Sequence, residues 1–218
     1  MSALTYAPPT DPYLQILYSD ADLLVLAKQS GILSVPGRKD DLADCIQARA
    51  QSAFPGATIV HRLDLETSGV MVLARNRPAH RHISWQFEKR QVEKTYEANV
   101  WGVLAANRGE IDAPLICDWP NRPRQIIDHE NGRSARTAWT VINNQATSTR
   151  LRLTPHTGRS HQLRVHLQSI GHPILGDNLY AHPEARDGVD RLQLHALSLS
   201  LHHPTNETRM TFTSPCPF

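Results

Sequence analysis

The stretch Thr58-Ile59-Val60-His61-Arg62-Leu63-Asp64-Leu65-Glu66-Thr67-Ser68-Gly69-Val70-Met71-Val72-Leu73-Ala74 decides the fold. Two apolar runs, 58–63 and 70–74, enclose a short polar string that ends in Ser-Gly. Runs of this length bounded by turn residues read as strands, and a short connection between strands favours antiparallel pairing. The same signal recurs on either side. Residues 14–18 and 23–27 are apolar runs separated by Ser19-Asp20-Ala21-Asp22, a hairpin pattern. Residues 95–100, 135–142, 149–153, 192–201 and 210–213 also read as strands, with 135–142 and 149–153 alternating like a hairpin. Helices are fewer. Asp40 or Asp41 caps one expected to reach Phe54, with Leu42, Cys45, Ile46 and Arg49 at helical spacing before Pro55-Gly56 stops it. Pro78 opens a second that runs to about Arg90, and 160–170 reads as a third with Leu163, Leu167 and Ile170 on one stripe. Residues 105–134 read as arginine-bearing turns. This count predicts an α+β fold: a mixed, mostly antiparallel sheet flanked by helices.

At about 150 residues per domain, a chain of 218 residues is one large domain or two small ones. No proline- or glycine-rich linker divides it, so 14–218 is expected to form a single domain behind an extended tail at 1–13. Hydrophobic residues at 40% suffice for a sizeable core. No apolar run approaches the roughly 20 residues of a membrane helix, and the first residues form no secretory signal. A soluble cytoplasmic protein is expected. The three cysteines are far apart and in no CxxC pair, which argues against a disulfide framework or a cysteine zinc site. No GxGxxG, Walker lysine loop, HExxH or GxSxG occurs, so no metal or cofactor is expected. His80 with His82, or His161 with His166, make no familiar ligand triad for a metal hydrolase. Net charge is only +2, but all except four of the 23 basic residues are arginine. Arginine forks onto phosphates and stacks on bases, although a GC-rich genome produces the same bias.

Two strings carry chemistry. In the first, a strand runs into a polar turn and sets the Asp64 carboxylate at a sheet edge, near the hydroxyls of Thr67 and Ser68. The same string also reads as an Asx turn in which Asp64 accepts N–H bonds from Glu66 or Thr67. The second is Thr157-Gly158-Arg159-Ser160-His161-Gln162-Leu163-Arg164-Val165-His166. Gly158 permits a sharp turn, a helix begins near Ser160, and Arg164 follows His161 by about one turn. An arginine from here can hold Asp64 ionised and oriented. The string reads equally as an amphipathic helix with a basic face.

Together these strings resemble the RluA-type family of RNA pseudouridine synthases. The family signature HRLDxxTSG stands complete from His61 to Gly69, and GRxHQxRxH from Gly158 to His166. Lys94-Thr95-Tyr96 matches its K-x-Y, and Gly171-His172-Pro173-Ile174-Leu175-Gly176-Asp177 and Leu194-His195-Ala196 match further along. Lys28-Gln29-Ser30-Gly31 departs from K-P-x-G at Gln29. The resemblance covers about residues 14–214. It implies a cofactor-free isomerase that breaks the uridine C1′–N1 bond, turns the base and joins C5 to C1′. Asp64 is then the nucleophile at C1′ or the base at C2′, Tyr96 packs against the uracil, and Arg164 pairs with Asp64. Arg62 falls on the RNA side, filling the gap left by the flipped base, with His61, Thr67, Arg159 and His161 as further RNA-side candidates. Glu66 stands where the family pattern allows any residue. The pattern starts almost at once, so an S4-like domain is expected to be absent. The string from Pro114 to Pro123 resembles a short subgroup acting on large-subunit rRNA stem-loops and tRNA anticodon stem-loops. RNA is the expected partner, with no membrane and no small-molecule cofactor, and the lack of heptads suggests a monomer. An idle RNA-binding factor on the same fold is the competing reading, which the retained Asp64, Tyr96 and Arg164 disfavour.

Overall fold

A computed structural model describes residues 6–218; the first five, which open the tail expected at 1–13, lie outside the described residues. The first hairpin forms as β1 (Ile16–Ser19) and β2 (Leu23–Lys28). Asp20 builds its turn: the carboxylate accepts the Asp22 and Leu23 N–H groups at 2.7 Å and the Tyr18 hydroxyl at 2.6 Å. Burial pushes the Asp20 carboxyl up, but these donors and His203 outweigh it and hold it at about 2.

The helix expected from 40 or 41 to 54 is divided. A 3-10 turn at Asp40–Leu42 is followed by a break, and α1 (Ile46–Ala53) starts afresh from Cys45, whose sulfur accepts the Ala48 N–H. The new start turns Arg49 inward, where it is 1% exposed. Its Nε and Nη2 grip Asp44 at 2.7 and 2.6 Å, and Nη1 donates to the carbonyls of Pro9 and Tyr13. A guanidinium with all three nitrogens engaged thus anchors the described part of the tail, which has no regular element.

β3 (Thr58–Ile59) is shorter than the expected strand, whereas β4 (Ser68–Ala74) is longer and buried throughout. β2 and β4 pair antiparallel from Leu23 opposite Ala74 to Lys28 opposite Gly69. Both are covered on two faces, which explains their continuous apolar runs. α2 (Arg77–Glu88) begins at Asn76, whose side chain accepts the Ala79 N–H at 2.9 Å, with Pro78 in the first turn.

β5 (Glu93–Trp101), β10 (Ser148–Pro155), β9 (Arg136–Asn144) and β6 (Arg108–Asp112) lie side by side as antiparallel neighbours. β6, β7 (Leu115–Cys117) and β8 (Gln125–Ile127) fall in 105–134, where the sequence predicts only turns. Strands of three to five residues are too short for alternation to stand out among the prolines and glycines. α3 (Gln162–Ser169) and α4 (Pro183–Asp187) follow, then β11 (Leu194–His202) and β12 (Arg209–Thr213). Ile170, expected on the buried stripe of α3, lies just past its end and is 38% exposed.

Two compact units result. One runs to Glu93 and includes Ala196–Cys216; the other holds Lys94–His195 and Pro217–Phe218. Each has a core of its own. Leu23, Val25, Val72, Ile83 and Leu201 centre the first, and Ala98, Val100, Leu151, Leu153 and Leu167 the second. The division falls inside β5 and β11, so composition gives no sign of it and the sequence reads as one domain. Among the described residues no helix is long and apolar enough to cross a membrane.

Candidate active site

The candidate residues fall in both units: His61, Arg62, Asp64 and Thr67 in the first, Tyr96, Arg159, His161 and Arg164 in the second. In the first unit the chain leaves β3 after Ile59 and reaches β4 at Ser68 through a loop with its own scaffold. Lys28 is its centre. The ammonium is buried and donates to the carbonyls of Gln29 (3.0 Å), Leu65 (2.9 Å) and Thr67 (2.8 Å). Three carbonyl dipoles replace its water, so the cation is satisfied only while the loop keeps this shape. Ser34 donates to the Leu63 carbonyl (2.6 Å) and accepts its N–H (3.1 Å), and Ser30 donates to the Glu66 carbonyl (2.8 Å). A turn closes within the loop as the Thr67 N–H donates to the Asp64 carbonyl (3.2 Å).

His61 takes over where β3 stops. Its Nε2 accepts the N–H of Val72 on β4 (3.0 Å), and its ring stacks on Phe87 with centroids 4.8 Å apart. Arg62 points outward and is exposed, Leu63 is buried, and Asp64 is half-buried. Thr67, placed on the RNA side by the sequence, is 2% exposed. Burial makes it part of the loop's framework.

Gly69 begins the ladder at φ +116°, and a Cβ there would lie 2.2 Å from the Ala196 carbonyl oxygen. Only glycine lets the two backbones approach this closely.

In the second unit Tyr96 stands on β5 opposite Leu153, half-buried against the core. His161 occupies the left-handed region (φ 54°) at the start of α3. Gln162 then knits the segment together. Its Nε2 donates to the Arg136 carbonyl and the Thr137 hydroxyl, and its Oε1 accepts the Thr157 hydroxyl (2.7 Å) and the Arg159 N–H (3.0 Å). His166 continues the chain of bonds, with Nδ1 on Thr137 and Nε2–H on the Ala113 carbonyl, both at 2.9 Å. Burial pushes its pKa below the ordinary histidine value, so the imidazole is a neutral framework group.

Arg164 is 4% exposed. Its Nε and Nη2 form a bidentate pair with Asp177, both at 2.7 Å, and Nη2 also reaches Asn178. Asp177 is fully buried and accepts the Leu179 and Tyr180 N–H groups as well. Asp177 is thus a partner of Arg164 that the sequence reading did not anticipate. The signal was present, since Asp177 closes the matched string 171–177, but nothing local links it to α3.

Tyr180 is a second unexpected participant. Its hydroxyl lies 2.7 Å from His161 Nδ1 and accepts the Gln125 N–H, while Arg164 lies over its ring. His161 and Arg164 therefore meet on Tyr180. Arg159 is half-buried and donates from Nε to the Ser134 carbonyl. Among the described residues no group of His, Cys, Asp and Glu could hold a metal ion.

A family profile described as RNA pseudouridylate synthase matches residues 22–169, a span that includes Asp64, Tyr96 and Arg164. The chain belongs to the RNA pseudouridine synthase family and is an isomerase of uridine in RNA. It is 48% identical over 219 residues to the dual-specificity RNA pseudouridine synthase RluA of Escherichia coli K12, with both chains fully covered. It is 52% identical over 204 residues to the protein of that name from Yersinia pestis, covering 93% of this chain and 99% of the other. Among solved structures it is similar to human RNA pseudouridylate synthase domain containing 1, with a TM-score of 0.81 and 30% identity over 97% of this chain and 87% of that one. The α+β, mostly antiparallel fold expected from the sequence is the pseudouridine-synthase fold.

Proposed function

We propose that this chain converts specific uridines to pseudouridine in stem-loops of both large-subunit rRNA and tRNA anticodon arms, in the cytoplasm and as a monomer without a cofactor. The dual-specificity name of relatives matched along the whole chain supports two RNA substrates, and the resemblance of 114–123 to the short subgroup supports these two stem-loops. One observation carries the site: Asp64, Tyr96 and Arg164 stand in three separate family motifs, in order, within the matched span. Asp64 acts on the ribose, either as nucleophile, forming a C1′–O bond that breaks again when C5 attacks C1′, or as base, taking the C2′ proton and returning it when C5 bonds to C1′. The C1′–N1 bond breaks, the uracil keeps the electron pair and turns, and C5 bonds to C1′. The C5 proton then leaves and N1 gains one, so atoms and electrons balance without a redox partner. Tyr96 packs against the uracil.

Asp177 grips Arg164 through Nε and Nη2, and the role its motif implies for Arg164 is to keep Asp64 ionised and oriented. Arg62, exposed on the loop, fills the gap left by the flipped nucleotide, and Arg159 and His161 contact the RNA backbone. Flipping costs a few kcal/mol and less from a loop, which favours stem-loop substrates. His61 and Thr67 serve this surface indirectly, by shaping the loop.

The test uses transcribed rRNA and anticodon stem-loops without added metal, mapped for pseudouridine by carbodiimide primer extension. One new stop in each RNA is expected. Asp64→Asn is expected to lose both stops while still binding RNA. Stops that survive in Asp64→Asn would remove Asp64 from the chemistry, and a stop in only one RNA would remove the dual specificity.

A further inference from the structure

Lys94 is a cation that the described residues do not neutralise. On β5, alternation places Lys94 and Tyr96 on one face and Glu93, Thr95 and Glu97 on the other. The neighbouring carboxylates are therefore turned away, and each is committed elsewhere. Glu93 pairs with Arg209 at 2.7 Å, and Glu97 with Arg150 and with Arg152. Among the described residues Lys94 makes neither an ion pair nor a hydrogen bond. It is nonetheless half-buried, and desolvation lowers its pKa below the ordinary lysine value with no opposing partner.

Two buried cations of these motifs are satisfied by the protein. Lys28 has three carbonyls and Arg164 has Asp177. A half-buried ammonium without a protein partner is costly unless a ligand brings the anion.

The opening above it is also built. Gly158 is exposed, and a Cβ there would lie 3.4 Å from Lys94 Nζ, with no other described group beyond its chain neighbours within 4 Å. Glycine at 158 leaves the ammonium without a side-chain roof.

We propose that Lys94, beneath Gly158, is an anion site that binds a backbone phosphate flanking the target uridine. This rests on the reading that Tyr96 meets the target uracil. Lys94 precedes Tyr96 by two residues on the same strand face, a separation of about 6.6 Å along the strand. That sets the ammonium beside the base, where the nucleotide's own backbone passes. The phosphate takes the place of the missing carboxylate. Its binding is made in the ground state, so it acts on affinity and register.

The experiment uses the full chain and the stem-loop in which the wild type forms pseudouridine. A single neutral methylphosphonate linkage is moved through the loop, and Kd and single-turnover rates are measured for wild type, Lys94→Met and Lys94→Arg. The wild type is expected to lose about ten- to a hundredfold in Kd when one linkage beside the target is neutral. Lys94→Met is expected to show that loss on unmodified RNA and no additional loss at that linkage, with Lys94→Arg recovering part of it. Gly158→Ala, which keeps an ordinary backbone conformation and adds one methyl group over Nζ, is expected to weaken binding with the same linkage dependence. It keeps the test available if Lys94→Met does not fold.

An unchanged Kd with a slower chemical step in Lys94→Met would overturn the phosphate assignment. So would losses from Lys94→Met and from the neutral linkage that multiply at every position. A wild type that forms no pseudouridine in either stem-loop would instead strike the substrate reading on which the site rests.

Discussion

At the scale of single residues, two positions in the matched motifs are set by steric and electrostatic necessity rather than by chemistry on the substrate. Gly69 combines a positive φ with a backbone neighbour that leaves no room for a Cβ. Both penalties fall on Gly69→Ala, and the Ala196 backbone cannot swing aside as a side chain would. A loss of about 3–5 kcal/mol is expected in urea denaturation, with the catalytic residues themselves untouched. Lys28 is the complementary case. It was legible only as part of a matched string, and its role appeared when three carbonyls converged on one ammonium. Asp64 was legible from its motif, because a carboxylate in HRLDxxTSG is local information.

At the scale of elements, α3 is held by a chain of hydrogen bonds that runs from Ala113 through His166, Thr137 and Gln162 to Thr157 and Arg159. The sequence showed the helix with Leu163 and Leu167 on its buried stripe but not this polar side, because its partners lie on β9, in the loop before α3 and at Ala113 after β6. His166 makes the element acid-sensitive. In the unfolded chain it protonates near its ordinary value of 6.5, whereas in the fold burial lowers its pKa. The unfolded state then binds more protons below that value, so stability is full above it and falls as the pH drops through the interval below. Urea denaturation at about pH 7 and about pH 5 is expected to show this fall. The slope is expected to flatten in His166→Gln, which cannot titrate. The helix expected from 40 or 41 to 54 is the contrary lesson. The helix restarts at Cys45 instead, and the restart goes with the inward turn of Arg49 towards Asp44 and the tail carbonyls, partners that local periodicity does not encode.

At the scale of the whole molecule, a net charge of +2 gives no strong overall attraction to RNA. Binding must come from local groups. The second unit presents Arg122, Arg124, Arg133 and Arg136, all exposed, and Arg122 lies over the ring of Trp119. If each meets one phosphate of an unpaired loop, these four alone contribute a slope of about 3 to the dependence of log Kd on log salt. Those four contacts alone are then expected to lower affinity about fiftyfold between about 50 and 200 mM salt. Binding titrations check this, and replacing all four arginines with glutamine should leave most of the slope missing. A slope that survives the replacement would place the phosphate contacts elsewhere.

What the sequence by itself determined is what adjacent residues encode. The strand pairs around 58–74, the antiparallel class and the family follow from alternation and from motifs read within a few positions, and the same motifs single out Asp64, Tyr96 and Arg164 as candidates. The tertiary structure alone decided the partners. Asp177 lies 13 residues from Arg164, Lys28 gathers carbonyls up to 39 residues away, and Gly69 meets a strand near the end of the chain. Local composition sets how a segment hydrogen-bonds to itself, but a buried charge or a missing Cβ is explained only by the group that packs against it. That group is chosen when the chain closes on itself.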